Sequence, residues 1–254
     1  MLPEQKLVLI TGAGSGIGRA LCVEAARRGI AVALCGRRQN ALEATGALLG
    51  SAASHLIIQA DITRPEDRRR IVDRIQSERG ALDFLINNAG IVEGGPLETF
   101  DDDALARTFQ TNVMAPIALT RDLMPLLIAA KPSRVVNVGS IFGDIGYPDF
   151  TCYSAVKFAL RGFSIALRRE WKRKGVGVTY AAPRATRTDA AIAFAGLIAK
   201  TKMSMDSPEQ VARQIWRAIA SRHDTVYPAA PERLYVLIQR LFPRAIDWSL
   251  SRRS

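Results

Sequence analysis

The sequence predicts an α/β fold in which helices cover both faces of a doubly wound parallel sheet. Short apolar runs, rich in β-branched residues, alternate with segments of helical pattern along most of the 254 residues. A glycine-rich turn over residues 11–18 joins the first of these runs to the first helix. Small or polar residues follow several of the runs, and the carboxyl ends of parallel strands share one edge of a sheet. We therefore expect these residues to converge on one site.

Composition leaves several classes of partner open. Hydrophobic residues make up 48% of the chain, which suffices for one large α/β domain or two small ones. Lysine and arginine number 35 against 24 acidic residues, which gives a net charge of +11. Such an excess suits nucleic acid, an anionic membrane surface or a phosphorylated ligand, and alone it does not decide among them.

The sequence shows no pattern typical of a disulfide framework, a metal site or a membrane-spanning helix. Its three cysteines, Cys22, Cys35 and Cys152, are odd in number and lack C-x-x-C spacing, so we expect free thiols in a reducing compartment. The opening residues do not resemble a signal peptide, and the chain has no run of about 18 apolar residues. We therefore expect a cytoplasmic protein without a metal site.

The first predicted strand, residues 7–10, leads into a turn that suits a phosphate group. Gly12, Gly16 and Gly18 follow the pattern T-G-x-x-x-G-x-G, and a helix predicted over residues 19–28 comes next. Glycines let the backbone approach a ligand closely, and a helix N-terminus offers free N–H groups and partial positive charge. An ordinary glycine-rich turn is a poor alternative, because a single turn does not need four glycines in seven residues.

The second predicted strand, residues 30–35, is followed by Gly36, Arg37 and Arg38. In a dinucleotide site this position, about 20 residues beyond the glycine turn, contacts the adenosine ribose. No carboxylate stands here to bond a 2′-hydroxyl, and two guanidinium groups are available for a 2′-phosphate. The sequence therefore favours NADP(H) over NAD(H), although one of the two arginines could merely start a solvated helix.

Residues 54–60 and 82–86 are the next predicted strands. Asp61, after the first of them, either contacts an adenine edge or helps to cap a helix predicted over residues 65–79. The second runs into Asn87-Asn88-Ala89-Gly90, which is small and polar, as the end of a cofactor-facing strand should be.

Two helices are predicted next, one near residues 101–112 and a long apolar one that reaches about residue 130. Asn112 lies close to the end of the first helix. Its amide is either bonded to a kinked backbone in the core, or it holds a water molecule in a proton relay.

Tyr153 and Lys157 are four residues apart on a helix predicted over about residues 152–173, so they share one face. A tyrosine hydroxyl, with a pKa near about 10, is a poor base at neutral pH, and a neighbouring ammonium lowers that pKa. The pair is therefore a candidate acid–base device. Ser140 ends a predicted strand, residues 134–139, where its hydroxyl could hold a carbonyl against the tyrosine. An isolated pair of this kind is more often an ordinary surface pair, so the other motifs decide.

Taken together, these motifs resemble the short-chain dehydrogenase/reductase family. The resemblance covers residues 6–188 and includes the glycine turn, Asp61, the Asn87–Gly90 motif, Asn112, Ser140 and the Tyr153–Lys157 pair in the family order. It implies a Rossmann-type catalytic domain over residues 1–230 that interconverts a carbonyl and an alcohol with NADP(H). It also implies a small carbonyl or alcohol substrate and a homodimer or homotetramer formed through the helices near residues 114–130 and 152–173.

The resemblance implies a role for each residue of the site. Tyr153 is the general acid/base, Lys157 holds the nicotinamide ribose and lowers the pKa of the tyrosine, Ser140 positions the carbonyl, and Asn112 supports a water-linked proton path. Cofactor contacts are expected from Tyr153 and Lys157 and from a larger set that follows the strand ends: Gly12, Ser15, Gly16, Ile17, Gly18, Arg37, Arg38, Asp61, Ile62, Asn88, Ala89, Gly90, Pro183 and Thr188.

The chain departs from the family pattern after the sixth predicted strand, residues 175–181. Arg184 follows Pro183 where the family usually has glycine, and Thr186 stands where a valine or isoleucine is common. The family places its substrate lid next, here about residues 189–206, and the apolar stretch within it favours an apolar or lipid-like substrate. A helix packed on the body or on another subunit is an equally good interpretation.

Residues 231–254, here termed the tail, are an apolar and basic extension rather than a separate domain. Leu234, Leu237, Ile238, Leu241 and Phe242 have the spacing of an amphipathic helix, which Pro243 should break or restart. Five arginines stand against two acidic residues, a net charge of +3, which suits peripheral contact with an anionic membrane. The alternative is that the helix packs on its own subunit, covers the substrate cleft or meets a partner subunit.

Three rival functions fit less well. A non-catalytic NADP-binding regulator could use the same fold, but it would not need Ser140, Tyr153, Lys157 and Asn112 together. Nucleic-acid binding is not expected, because aromatic residues make up only 7% of the chain and do not alternate with basic ones. An epimerase on this fold would need room for an added sugar-nucleotide domain, which the short chain does not offer.

Overall fold

The computed structural model describes residues 5–50, 54–194, 204–227 and 230–251. The strands in these ranges form one parallel sheet in the spatial order β3-β2-β1-β4-β5-β6-β7. They are β1 (Leu7–Thr11), β2 (Ala31–Gly36), β3 (His55–Gln59), β4 (Phe84–Asn87), β5 (Ser133–Val138), β6 (Val176–Ala181) and β7 (Thr225–Val226). The doubly wound parallel sheet that the sequence predicts is confirmed.

Helices cover both faces of the sheet. The described helices are α1 (Gly16–Arg27), α2 (Gln39–Ala47), α3 (Pro65–Arg79), α4 (Asp102–Phe109), α5 (Ala115–Asp122), α6 (Met124–Ala129), α7 (Thr151–Trp171), α8 (Pro208–Ala220), α9 (Ala230–Leu241) and α10 (Pro243–Ser251). On one face Leu21 of α1 and Trp216 of α8 belong to a single apolar cluster with β1 and β2 side chains. On the other face the cluster includes Ile71 of α3, Leu119 of α5 and Trp171 of α7.

The central strands are buried on both faces because helices lie above and below them. All five residues of β1 and all four of β4 are buried, which explains why these strands are apolar up to their last residue rather than alternating. Cys22, Cys35 and Cys152 are free, buried thiols, as the sequence predicts.

Two predictions on the helices need correction. The long helix expected to reach residue 130 is two helices, α5 and α6, which meet at Leu123. Pro125 in the first turn of α6 lacks an N–H group and its ring clashes with the preceding turn, so the two cannot be continuous. The helix predicted to reach Asn112 ends at Phe109, and a π-helical turn (Gln110–Met114) follows it.

The sheet topology fixes where a ligand can bind. Strand β1 pairs with β2 on one side and with β4 on the other, so the direction of winding reverses beside it. Such a switch point leaves a crevice at the carboxyl ends of the strands. The glycine turn follows β1 and the Asn88–Gly90 segment follows β4, so both motifs lie at this crevice.

The tail forms the helices α9 and α10, and the helix restarts at Pro243 as predicted. Within the described residues, none of the helices is both long and apolar enough to cross a membrane.

Candidate active site

The glycine turn is shaped for close backbone approach. Gly12 and Gly16 have φ values of +66° and +51°, a region that L side chains rarely adopt. A Cβ on Gly12 would lie 3.0 Å from the Ala89 Cα, and one on Gly18 would collide with the Gly12 carbonyl oxygen. The turn therefore has no room for side chains at these positions, and it leaves the N-terminus of α1 open to a ligand.

Thr11 ties the glycine turn to the end of β4. Its Oγ1 accepts hydrogen bonds from the backbone amides of Asn88 and Ala89, both at 3.0 Å. The Asn88 side chain donates in return to the Thr11 carbonyl at 3.0 Å. These hydrogen bonds join the two motifs into one unit. Sequence reasoning missed Thr11 as a site residue, although a threonine at the end of an otherwise apolar strand is a usable signal.

A groove runs in both directions from this unit. Gly12, Ser15, Ala89 and Gly90 line each of two adjoining cavities. The first cavity extends to the candidate catalytic residues. It is lined by Gly16, Ile17, Asn88, Asn112, Ser140, Tyr153, Lys157, Pro183 and Thr188. The second is lined by Arg37, Arg38, Asp61 and Ile62. Apart from Gly18, which lies behind the turn, the structure brings the predicted site residues together along one groove.

The far end of the groove carries the two arginines. Arg37 and Arg38 are exposed, and Gln59 Nε2 donates a hydrogen bond to the Arg37 carbonyl at 3.1 Å. Asp61 Oδ1 accepts from the backbone N–H and the hydroxyl of Thr63 at 3.0 and 2.7 Å. Asp61 thus holds the turn before α3 while it lines the cavity, and the N-cap position of α3 belongs to Arg64.

The other end of the groove brings Ser140, Tyr153 and Lys157 together. Tyr153 and Lys157 are one turn apart on α7 and only 6% exposed. Lys157 Nζ donates a hydrogen bond to the Val138 carbonyl at 3.2 Å and lies 5.4 Å from the centre of the Tyr153 ring. Ser140 begins a short 3-10 turn (Ile141–Gly143) that follows β5, and its Oγ accepts from the Phe142 amide at 3.2 Å.

Burial sets the protonation of this group. It raises the pKa of the Tyr153 hydroxyl well above its usual value, and a hydrogen bond with the Ser140 side chain opposes that rise. Burial also lowers the pKa of Lys157 from 10.5 to about 8. The lowered tyrosine pKa that the sequence predicts is wrong for this structure, because a buried phenolate loses its water and desolvation is the largest influence on the Tyr153 hydroxyl. At neutral pH Tyr153 is therefore a proton donor beside a cationic Lys157.

The Asn112 side chain bonds to backbone carbonyls where the helix is distorted, which is one of the two interpretations that its sequence position leaves open. Its Nδ2 donates to the carbonyls of Ile91 and Thr108, both at 3.0 Å, across the π-helical turn. Its Oδ1 is buried and has no hydrogen-bond partner among the described residues. This oxygen and Lys157 Nζ both lie within 4 Å of the point that a Gly90 Cβ would occupy. A buried acceptor of this kind is where a bound water is expected.

Two residues that sequence reasoning missed hold the Ser140 turn. The Tyr180 hydroxyl donates to the Ser140 carbonyl at 3.0 Å and accepts from its amide at 3.3 Å. The Asp144 carboxylate, at the end of the same turn, accepts from the Tyr227 hydroxyl at 2.9 Å and pairs with Arg161 and Arg240 at 3.2 and 3.3 Å. Among the described residues, no cluster of three or more His, Cys, Asp or Glu side chains could hold a metal.

A family model described as short chain dehydrogenase matches residues 6–195. The chain belongs to the short-chain dehydrogenase/reductase family. The 3-oxoacyl-[acyl-carrier-protein] reductase FabG of Escherichia coli is 32% identical over 186 residues, which cover 73% of this chain and 75% of that protein. Members of this family are oxidoreductases that act on carbonyl or alcohol groups with a nicotinamide dinucleotide.

Solved structures of the family are also similar. A short-chain dehydrogenase from Sphingobium yanoikuyae in complex with NADPH has a TM-score of 0.82 and 28% identity over 95% of both chains. A 3-ketoacyl-(acyl-carrier-protein) reductase from Brucella melitensis complexed with NADH has a TM-score of 0.79 and 25% identity, over 88% of this chain and 94% of that one. The similarity to the family therefore supports an NAD(P) cofactor without choosing between its two forms.

The departure of this chain from the short-chain dehydrogenase/reductase pattern at Arg184 has a structural explanation. The Arg184 guanidinium pairs with Asp206 at 2.7 Å and with Glu232, in the first turn of α9, at 3.0 Å. Thr186 forms an isolated parallel bridge with Asp206. Arg184 therefore fastens the loop after β6 to two distant segments. The sequence did not predict that Asp206 and Glu232 pair with Arg184, because ion pairs between residues 22 and 48 positions apart leave no local pattern.

An aromatic cluster, here termed the aromatic wall, stands beside the first cavity, and Phe142 and Phe194 of this wall line it. Phe150 and Phe194 stack with ring centres 4.8 Å apart, and Phe142 stacks on Tyr147 at 5.1 Å. The ring of Tyr153 packs edge-on to Phe194 at 5.9 Å. Phe194 ends a 3-10 turn (Asp189–Phe194) that begins the predicted lid. Residues 195–203 of that lid lie outside the described part of the chain.

Gly18→Ala should destabilise the protein and weaken binding of the dinucleotide. The new methyl group would collide with the Gly12 carbonyl, so the turn must shift, at a cost of about 1–3 kcal/mol. Gly162→Ala is the matched control, because Gly162 is at an exposed position of helix α7 where an added Cβ meets nothing within 4 Å. This variant should stabilise the protein by up to about 1 kcal/mol. Urea unfolding and cofactor titration measure both effects; equal behaviour of the two variants would contradict the proposed close contact.

Lys157→Met should alter the pH dependence of stability. The pKa of Lys157 in the folded chain, about 8, is below its ordinary 10.5. Between these two pH values the unfolded chain therefore binds more protons than the folded chain. Stability of the wild type therefore rises with pH through this window, by at most about 1.4 kcal/mol per pH unit, and Lys157→Met removes that rise.

Urea unfolding near about pH 7.5 and about pH 9.5 measures this difference between wild type and Lys157→Met. The exposed Lys172 offers a control, since Lys172→Met should leave the pH dependence unchanged. If Lys157→Met shifted stability by the same amount at both pH values, the lysine would not have a lowered pKa.

Proposed function

We propose that this protein is an NADP(H)-dependent oxidoreductase that interconverts a carbonyl and an alcohol, with Tyr153 as its general acid/base. One observation carries the proposal: buried Tyr153, Lys157 and Ser140 lie in the same groove as a glycine turn that excludes side chains. We infer that residues 1–230 act as one catalytic domain, that 231–254 is an extension of it, and that the protein works in the cytoplasm.

The residues of the groove fit a nicotinamide dinucleotide. The turn around Gly12 and Gly16 and the amides at the start of α1 suit its pyrophosphate. Lys157, beside Val138 and Asn112, is the group we assign to the nicotinamide ribose. When bound, the cofactor supplies or accepts the hydride at the substrate carbon.

Proton transfer falls to the residues of this chain. For reduction, Tyr153 donates its hydroxyl proton to the carbonyl oxygen, and the raised pKa supports this direction because it keeps the donor protonated. Ser140 hydrogen-bonds the same oxygen, and the Lys157 cation favours the phenolate that remains. We assign to Asn112 Oδ1 the water through which a proton returns to Tyr153.

The choice of NADP(H) depends on residues at the far end of the groove. Arg37 and Arg38 stand directly after Gly36, where NAD-specific sites carry a carboxylate. Both arginines are exposed and line the cavity, so they are free to meet a 2′-phosphate. Relatives bind either cofactor, so this choice is argued from the present residues alone.

The substrate we propose is apolar or lipid-like. Phe142 and Phe194 line the cavity next to Tyr153, and Phe150 stacks on Phe194. An apolar wall of this kind favours burial of an apolar chain.

We also propose a homodimer or homotetramer and a peripheral membrane contact through the tail. Helices α4 and α7 and the π-helical turn carry exposed apolar side chains at Phe109, Met114 and Phe158, which suits an interface between subunits.

Tyr153→Phe should abolish turnover and leave NADPH binding nearly intact, because only the proton-transferring group is removed. We expect a fall in kcat of about 10²- to 10⁴-fold. Tyr147→Phe is the matched control, since Tyr147 belongs to the same aromatic wall without a proposed role in proton transfer. Assays of ketone reduction measure the turnover of both variants, and NADPH titrations measure their affinity for the cofactor. If Tyr153→Phe kept most of its activity, the acid/base would be another residue.

Arg37→Ala should weaken NADPH binding about 10- to 100-fold and NADH binding little, because a charge-assisted contact with the 2′-phosphate is lost. Arg38→Ala, measured in the same way, shows how much the neighbouring guanidinium contributes to binding of the 2′-phosphate. Dissociation constants from fluorescence titration with each cofactor give the comparison. If both variants lost affinity for NADPH and NADH equally, neither arginine would contact the 2′-phosphate.

A further inference from the structure

Helix α9 of the tail turns its apolar side to solvent. Leu234, Leu237, Leu241 and Phe242 are 57%, 52%, 61% and 65% exposed. They share one face with Ile238, as the helical spacing predicts. An amphipathic helix of a globular protein ordinarily buries this face, so the outward orientation needs an explanation.

Polar contacts with the body hold the helix in this orientation. Glu232 pairs with Arg184 at 3.0 Å, and Arg240 pairs with buried Asp144 at 3.3 Å. Val236, which lies between these two residues on the helix, is buried at 3% exposure. Glu232, Val236 and Arg240 therefore form the face that meets the body, and the leucines lie on the opposite side of the helix.

The charges around the apolar face are mainly positive. Glu232 and Arg240 are engaged with the body, which leaves Arg233 and Arg244 exposed beside Asp247. Exposed aromatic rings at Tyr235 and Trp248 complete the surface. Apolar side chains with aromatic and arginine neighbours match the boundary between the headgroups and the acyl chains of a bilayer.

We propose that this outward face of α9 docks on an anionic lipid bilayer. Leucine and phenylalanine side chains enter the acyl boundary, and the arginines meet anionic headgroups. A second copy of the chain is a less suitable occupant, because it would bring the arginines of two tails together, and like charges oppose association.

Docking would place the catalytic cavity next to the bilayer. Arg184 lines the cavity and pairs with Glu232 in the first turn of α9, so the tail begins at the cavity. This step rests on the proposed function: an apolar carbonyl compound would then reach the aromatic wall near Phe194 from the lipid surface without crossing water.

Vesicle co-sedimentation of the full chain tests the docking itself, without substrate or cofactor. The wild type should bind vesicles that contain phosphatidylglycerol, bind phosphatidylcholine vesicles much less, and lose binding as salt is raised. Leu241→Glu should weaken binding about tenfold or more, whereas Leu48→Glu, at a similarly exposed leucine that caps the C-terminus of helix α2, should not.

A second pair of variants tests the charge. Arg244→Glu should weaken binding to anionic vesicles, and Arg173→Glu should not. Arg173 lies before β6, at the amino end of that strand, whereas Asp144 and Arg184, which contact the tail, follow the carboxyl ends of β5 and β6. Urea unfolding of each variant identifies any loss that comes from misfolding.

The proposal is overturned if the wild type fails to bind anionic vesicles at low salt, or if Leu241→Glu binds as tightly as the wild type. It is also overturned if the lipid-free protein forms a dimer that Leu241→Glu dissociates, because the face then belongs to a second copy. Ketone reduction is measured separately, so failure of docking leaves the oxidoreductase proposal standing, and absence of turnover leaves the docking result unaffected.

Discussion

The structure depends on the close approach of the glycine turn to the end of β4. Gly12 lies so near Ala89 that a side chain cannot fit, and the Thr11 hydroxyl bonds the amides on the facing segment. The two halves of the groove meet at this contact. If it opened, the arginine end and the tyrosine end would no longer lie on one continuous surface for a dinucleotide.

Burial then decides the chemistry at the tyrosine end. Desolvation disfavours the charged form of each group, so it raises the pKa of Tyr153 and lowers that of Lys157 to about 8. The result is a neutral phenol beside an ammonium group that donates a hydrogen bond to the Val138 carbonyl. Such a pair is prepared to release a proton to a carbonyl oxygen, since the charge that forms on the tyrosine meets a nearby cation.

The sequence predicts the sheet and most of the groove because its signals are local. Strand runs, glycine spacing and the four-residue step from Tyr153 to Lys157 each lie within a short segment, and a parallel sheet brings strand ends together. Long-range ion pairs leave no such signal, so the fastening of Arg184 to Asp206 and Glu232 could not be predicted. The outward orientation of the apolar face of α9 could not be predicted either. The amphipathic pattern shows which residues share a face of the helix, but not which face meets the body. The break before α6 could have been predicted from Pro125.

The central claim, that Tyr153 and its neighbours carry out carbonyl reduction with NADPH, is tested most directly by following the hydride. The protein is incubated with NADPH deuterated at the transferable position and with a series of ketones and aldehydes of increasing apolar chain length. The account predicts deuterium on the carbinol carbon of an alcohol product, with turnover that increases with chain length and is lost in Tyr153→Phe. Absence of labelled alcohol from every carbonyl compound, while NADPH binds normally, would contradict it.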